Sequence, residues 1–162
     1  MNIKNRLQGK KILIVDDEPD VLETLEELLT MCKIETASTF DEAWNLLGTH
    51  YYDLAILDIM GVQGYRLLEL ANEREIPAVM LTAHAMDPDN VVKSFHEGAA
   101  YFLPKDEMAN IVSYLNDILE AKEKGKSTWE KWLERLGAFF DARFGPDWQA
   151  KDKEFWDKYM YM

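Results

Sequence analysis

The feature that most constrains the fold is a set of short apolar runs, each of strand length, most of them ending on a residue that can carry chemistry. Ile12-Leu13-Ile14-Val15 is unbroken by polar residues and stops at Asp16-Asp17-Glu18. A run of this kind reads as a strand buried on both faces, the pattern of a parallel sheet covered by helices. Leu54-Ala55-Ile56-Leu57 has the same character and delivers Asp58. Pro77-Ala78-Val79-Met80-Leu81 reaches Thr82, and Tyr101-Phe102-Leu103 ends at Pro104-Lys105. Ile34 to Ala37 is a shorter candidate strand between the first two.

Helical patterns fill the intervals. Pro19 suits a first helical turn, and Val21, Leu22, Leu25, Leu28 and Leu29 follow at helical spacing, predicting a helix to about Met31. Ser38 or Thr39 can cap a helix carrying Ala43, Trp44, Leu46 and Leu47, closed by Gly48. Gly61 and Gly64 mark a loop before a helix with Leu67, Leu68, Leu70 and Ala71. Asp87-Pro88-Asp89 opens a helix through Val91, Val92 and Phe95, and Ile111, Val112, Leu115, Ile118 and Leu119 line a longer one. Five strand–helix repeats predict an α/β fold: a five-stranded, parallel, doubly wound, flavodoxin-like sheet with helices on both faces.

Ligands bind such sheets outside the carboxyl ends of the strands. The residues predicted there are Asp16, Asp17, Asp58, Thr82 and Lys105. Clustered carboxylates repel one another and need a cation to stay ionised. All-oxygen ligands favour a hard divalent ion such as Mg²⁺. A carboxylate can equally be a nucleophile towards phosphorus. In that case Lys105 would neutralise a phosphoryl oxygen and Thr82 would donate a hydrogen bond to another.

Composition narrows the function classes. The chain has 162 residues, enough for one domain with a small appendage, and its net charge of −12 disfavours nucleic acid and anionic membranes as partners. One cysteine, Cys32, excludes an internal disulfide framework and reads as a reduced thiol on a helix. Met1 to Lys10 lacks the apolar core of a signal peptide, and no apolar run has the length of a membrane span, so the expected location is cytoplasmic. Residues 1–125 carry 11 basic and 23 acidic residues, whereas residues 126–162 carry seven of each. Four of the five tryptophans also lie after residue 125, which places a boundary near Glu123-Lys124-Gly125-Lys126-Ser127. The expected division is therefore 1–125 and 126–162.

Residues about 10–122 resemble a response regulator receiver domain of a two-component system. The resemblance rests on Ile12-Leu13-Ile14-Val15-Asp16-Asp17-Glu18-Pro19, Leu57-Asp58-Ile59-Met60, Val79-Met80-Leu81-Thr82-Ala83 and Glu97-Gly98-Ala99-Ala100-Tyr101-Phe102-Leu103-Pro104-Lys105. It implies a phosphoacceptor at Asp58, charged by a histidine kinase or phosphotransfer protein. It implies Mg²⁺ held by Asp17 and Asp58 directly, by Asp16 largely through water, and by the backbone carbonyl of Met60. It implies Thr82 as a switch hydroxyl, Lys105 as the ion-pair partner of the phosphoryl group, and Phe102 as a switch aromatic, with Tyr101 facing elsewhere.

Two departures from the family pattern stand out. Met60-Gly61-Val62-Gln63-Gly64 lacks the usual proline and is about two residues shorter, so a looser or differently shaped rim beside Asp58 is expected. Lys105 is followed by Asp106 in place of proline; Asp106 is expected to cap the last helix, with Glu107 near its positive end. Met60 offers no acid or amide to orient water, which predicts slow self-dephosphorylation. His84 reads as a rim residue, and His50 and His96 as solvated.

After the receiver, Ser127-Thr128-Trp129-Glu130 matches a capping box, with Ser127 as the cap. Trp129, Trp132, Leu133, Leu136, Phe140 and Phe144 recur at helical spacing up to Gly145-Pro146. A second helix over Asp147 to about Tyr159 would complete a hairpin; one extended arm is the alternative. So small a unit has too little core to stand alone, so its aromatics must cover the receiver, a second copy or a partner. The overall expectation is a phosphoacceptor, not an enzyme with a substrate of its own, that signals by protein contact without a DNA-binding output and can form a homodimer through its C-terminal segment. The alternatives are an aspartyl-phosphate hydrolase and a phosphorylation-independent scaffold.

Overall fold

A computed structural model describes residues 6–83 and 88–149. The chain alternates strand and helix: β1 (Lys11–Val15), α1 (Pro19–Leu28), β2 (Lys33–Ala37), α2 (Phe40–Thr49), β3 (Leu54–Asp58), α3 (Gly64–Glu73), β4 (Ala78–Thr82), α4 (Pro88–His96) and β5 (Tyr101–Pro104). A 3₁₀ helix over Lys105–Asn110 leads into α5 (Ile111–Glu123), and α6 (Trp129–Phe144) follows. All strand pairs are parallel, in the order β2-β1-β3-β4-β5, which is the predicted doubly wound sheet.

The apolar runs became strands because both their faces are covered. β3 and β4 are buried at every residue, and β1 at all but its first. α1 packs with α5, α2 with α3, and α3 meets α4 through the Tyr65 hydroxyl, which lies 3.1 Å from Ser94 Oγ. Local rules set several boundaries. Pro19 occupies the first turn of α1, where its missing N–H costs nothing. Thr39 Oγ1 accepts from the Glu42 N–H and caps α2. α1 ends at Leu28, short of the predicted Met31.

α6 lies along β5, the sheet edge, between α4 and α5. Trp129, Trp132, Leu136 and Phe140 are its buried stripe. Trp129 stacks edge-on against Phe95 of α4, and the Phe140 ring lies 5.8 Å from that of Phe102. The edge carbonyls of β5 and its approach are met by side chains of this segment. Trp129 Nε1 donates to Ala99 O at 2.9 Å, Trp132 Nε1 donates to Phe102 O at 2.7 Å, and the Thr128 hydroxyl donates to Ala100 O. Arg135 binds the Asp117 carboxylate of α5 in bidentate fashion. The buried aromatics of α6 thus cover the receiver, one of the three options the sequence left open.

Two capping expectations are corrected. Thr128, not Ser127, precedes the first turn of α6, and it makes no side-chain cap because its hydroxyl is turned to β5. Ser127 Oγ accepts only from the Trp129 N–H, at 3.2 Å. Asp106 does not cap α5. It sits in the 3₁₀ helix, five residues before Ile111, and pairs with Arg143 of α6. α6 stops at Gly145-Pro146 as expected, and Trp148 folds back with Nε1 donating to Asp141 Oδ1 at 2.7 Å. Most of the second helix expected over Asp147–Tyr159 lies outside the described residues, as does His84.

Candidate phosphoacceptor site

The parallel register brings the strand ends to one rim. Asp58 pairs in register with Leu81, and Thr82 with Pro104, so the hydroxyl and the residue before Lys105 lie on strands neighbouring Asp58. Asp16 follows β1, the strand on the other side of β3. A cleft of about 310 Å³ is lined by Asp17, Glu18, Asp58, Met60, Gly61, Thr82, Ala83 and Lys105. Each charged or hydroxyl residue predicted for the rim is in or beside it. Asp16, Asp58 and Thr82 are buried, and Asp17 is exposed.

Lys105 is the counter-charge. Its Nζ lies 2.9 Å from Asp16 Oδ2, 2.9 Å from Glu18 Oε1 and 3.5 Å from Asp58 Oδ1. Glu18, to which the sequence reading gave no role, therefore shares the ammonium. The signal available for it was a third consecutive acid after β1. Asp16 is fixed in turn by the Glu18 N–H, which donates to its Oδ1 at 2.8 Å.

Asp58 is held above the ordinary carboxylate range. Burial contributes most, followed by the charge of Asp16; Lys105 and the Gly61 N–H, which donates to Oδ2 at 3.1 Å, oppose them. For Lys105, burial favours the neutral amine. The hydrogen bonds to Asp16 and Glu18 and the charges of Asp16 and Asp58 outweigh it and push the ammonium above its usual range. Among the described residues, the rim thus carries more negative charge than Lys105 balances. Carboxylate oxygens of Asp16, Asp17 and Glu18 approach within 4.8 Å of one another, a donor set suited to a hard cation.

The short loop after Asp58 is shaped by its glycines. A Cβ on Gly61 would stand 2.4 Å from Asp17 Oδ1, so a larger residue there would push that exposed carboxylate aside. A Cβ on Gly64 would stand 2.3 Å from the Asp58 carbonyl oxygen, so α3 can start directly against the end of β3. Gln63, the residue before α3, adopts a left-handed φ of 55°. The Gly61 N–H, donating to Asp58 Oδ2, ties this loop to the rim. Met60 lines the mouth of the cleft, with 74% of its surface exposed.

The two candidate aromatics separate by strand alternation. Tyr101 stacks on Tyr114 of α5, whereas Phe102, fully buried, meets Phe140 of α6. His50 and His96 are exposed, as expected. Among the described residues, no helix is long and apolar enough to cross a membrane.

Comparison with known proteins agrees with this arrangement. The family model for the response regulator receiver domain matches residues 12–116. The chain is 38% identical over 103 residues to the two-component response regulator ARR18 of Arabidopsis thaliana, a match that covers 60% of this chain and 16% of that protein. It is 34% identical over 141 residues to the response regulator GtcR of Aneurinibacillus migulanus, covering 79% of this chain and 58% of the relative. It therefore spans less than two thirds of the length of either relative. Among solved structures, a CheY-like response regulator receiver domain protein from Methanospirillum hungatei is 26% identical with a TM-score of 0.65, over 73% of this chain and 99% of the other.

Proposed function

This chain belongs to the response regulator receiver domain family of two-component systems, and on that premise we propose that it accepts a phosphoryl group on Asp58 from a histidine kinase or phosphotransfer protein. The observation that carries the reading is the placement of Lys105 Nζ, 3.5 Å from Asp58 Oδ1, on a rim it shares with Asp16, Asp17 and Thr82. In the transfer, an Asp58 carboxylate oxygen forms the new bond to phosphorus as the bond to the donor breaks, and the leaving electron pair stays with the donor. Lys105 neutralises a phosphoryl oxygen, and Thr82 donates its hydroxyl to another. The Gly61 N–H holds the second Asp58 oxygen and so orients the attacking one.

The excess carboxylate charge fits a divalent cation, and Asp16, Asp17, Asp58 and the Met60 carbonyl are the groups that would hold Mg²⁺. Bound there, Mg²⁺ supplies charge neutralisation for the carboxylates and the incoming phosphate. Phe102 is assigned the role of switch aromatic. Residues 1–125 form the receiver and 126–162 its extension. The net charge of −12 favours protein contact over DNA as the output, in the cytoplasm. With Met60 in place of an acid or amide beside Asp58, self-dephosphorylation is slow.

Incubation with acetyl phosphate and Mg²⁺, followed by intact mass measurement, tests the reading. One phosphoryl adduct is expected on the wild type and none on Asp58→Asn. No adduct on the wild type, or equal labelling of both, overturns it.

A further inference from the structure

We propose that α6 reads the state of Asp58: it docks on β5 while that carboxylate is unmodified and loosens when the carboxylate carries a phosphoryl group. The inference rests on the phosphoacceptor reading above and adds the element that responds.

β5 and the 3₁₀ helix meet at Pro104-Lys105. Lys105 directly follows β5 and is the only described cation lining the Asp58 cleft. α6 holds a residue on each side of it. Three residues before, Phe102 O accepts the Trp132 indole N–H at 2.7 Å, and the Phe102 ring lies against Phe140. One residue after, Asp106 pairs with Arg143. The remaining grips, Trp129 to Ala99 O and Arg135 to Asp117, lie farther from Lys105 along the chain. Pro104, with φ −68°, is a stiff joint between strand and 3₁₀ helix. Displacement of the Lys105 segment is thereby transmitted to Phe102 and Asp106.

The direction follows from charge and from contact quality. In the unmodified protein Lys105 sits closer to Asp16 and Glu18, 2.9 Å each, than to Asp58 at 3.5 Å. A phosphoryl group raises the charge at Asp58 to about −1.5 to −2 and extends it towards the cleft. The ammonium is drawn away from Asp16 and Glu18. The Trp132 indole sits in a packed ring cluster and donates to Phe102 O at 2.7 Å, so a shift of β5 moves the acceptor out of line with a donor that cannot follow. The same holds for the tilted contact between the Phe102 and Phe140 rings. The modification therefore acts differently on docked and loosened α6, as any effector of a two-state element must.

The departures from the family pattern gain a purpose. Asp106 replaces the usual proline at the position where α6 needs an anion for Arg143. The three tryptophans of the described extension converge on one surface, with the Trp132 ring 5.1 Å from Trp129 and 6.4 Å from Trp148.

The test is amide hydrogen exchange on the full chain, with and without acetyl phosphate and Mg²⁺, with intact mass reporting the labelled fraction in the same samples. Phosphorylated protein is expected to exchange about fivefold or more faster over residues 129–144, with β2 residues 33–37 unchanged and Asp58→Asn unresponsive. A reciprocal arm uses beryllium fluoride with Mg²⁺ as a reversible phosphoryl mimic. Linkage requires Trp132→Phe, which removes the donor to Phe102 O, and Arg143→Ala, which removes the partner of Asp106, to bind the mimic more tightly by a similar factor. Full labelling with unchanged or slower exchange over 129–144 overturns the inference and leaves the phosphoacceptor reading intact. Absence of labelling overturns the phosphoacceptor reading itself.

Discussion

The two edges of the sheet solve one problem in opposite ways. β2 is short and half-exposed, and it carries Lys33 and Glu35; Glu35 pairs with Lys11 of β1 at 3.0 Å. β5 is Tyr-Phe-Leu-Pro, buried at all four residues, and an entire helix lies over it. Unpaired strand edges invite pairing with other chains, and charge or a covering element prevents it. Charge needs no partner element, so the β2 edge is complete with its neighbour β1. An apolar edge needs a cover, and the cover must also satisfy backbone carbonyls, which explains why the stripe of α6 uses indoles with N–H donors at two positions.

Four measurements test the contrast, ordered by expected size. Trp132→Ala removes a fully buried ring and the donor to Phe102 O, and should cost about 3–5 kcal/mol in urea unfolding. A loss below about 1 kcal/mol would mean that β5 does not depend on its cover. Arg135→Ala strands the Asp117 carboxylate, whose side chain is 4% exposed, and should cost about 1–3 kcal/mol. If it is neutral, α6 is held by its aromatics alone. Glu35→Ala at the other edge should change stability by no more than about 0.5–1 kcal/mol, since its pair with Lys11 is solvent-screened. A larger loss would make the β2 edge as dependent on contacts as β5.

The fourth measurement, whose effect appears only in alkali, concerns Cys32, just before β2. Burial, and then the charge of Asp53, push its thiol from 9.0 up to about 11. A pKa raised by folding contributes stability that is present below about pH 9 and is lost as pH rises towards about 11. Thermal unfolding between pH 8 and 11 should show that decline in the wild type, and a smaller one in Cys32→Ser. Alkylation at pH 8 should be slow; rapid labelling of the native protein would show the β2 edge to be open.

The sheet and its rim were legible because they obey local rules. Unbroken apolar runs such as Leu54–Leu57 admit few alternatives, and Asp16, Asp58, Thr82 and Lys105 each terminate one or directly follow its end. Asp106 was misread because local chemistry offered a helix cap, whereas its partner Arg143 is 37 residues away. Ser127 was misplaced for a related reason: the capping box is a sequence pattern, but the residue preceding the first turn of α6 is one later, Thr128, whose hydroxyl goes to the Ala100 carbonyl just before β5. Gly61 was read as backbone freedom, when what it supplies is space for Asp17. Long-range partners and missing volume leave no periodicity behind.

The link between α5 and α6 is short: only Lys124 to Thr128 separate Glu123 from Trp129. A tether of that length holds α6 near β5 at an effective concentration on the order of millimolar. Any molecule seeking the same edge from solution at about 1 µM therefore competes at roughly a thousandfold disadvantage. The tether sets an affinity threshold, and each tenfold loosening of α6 lowers it by about 1.4 kcal/mol.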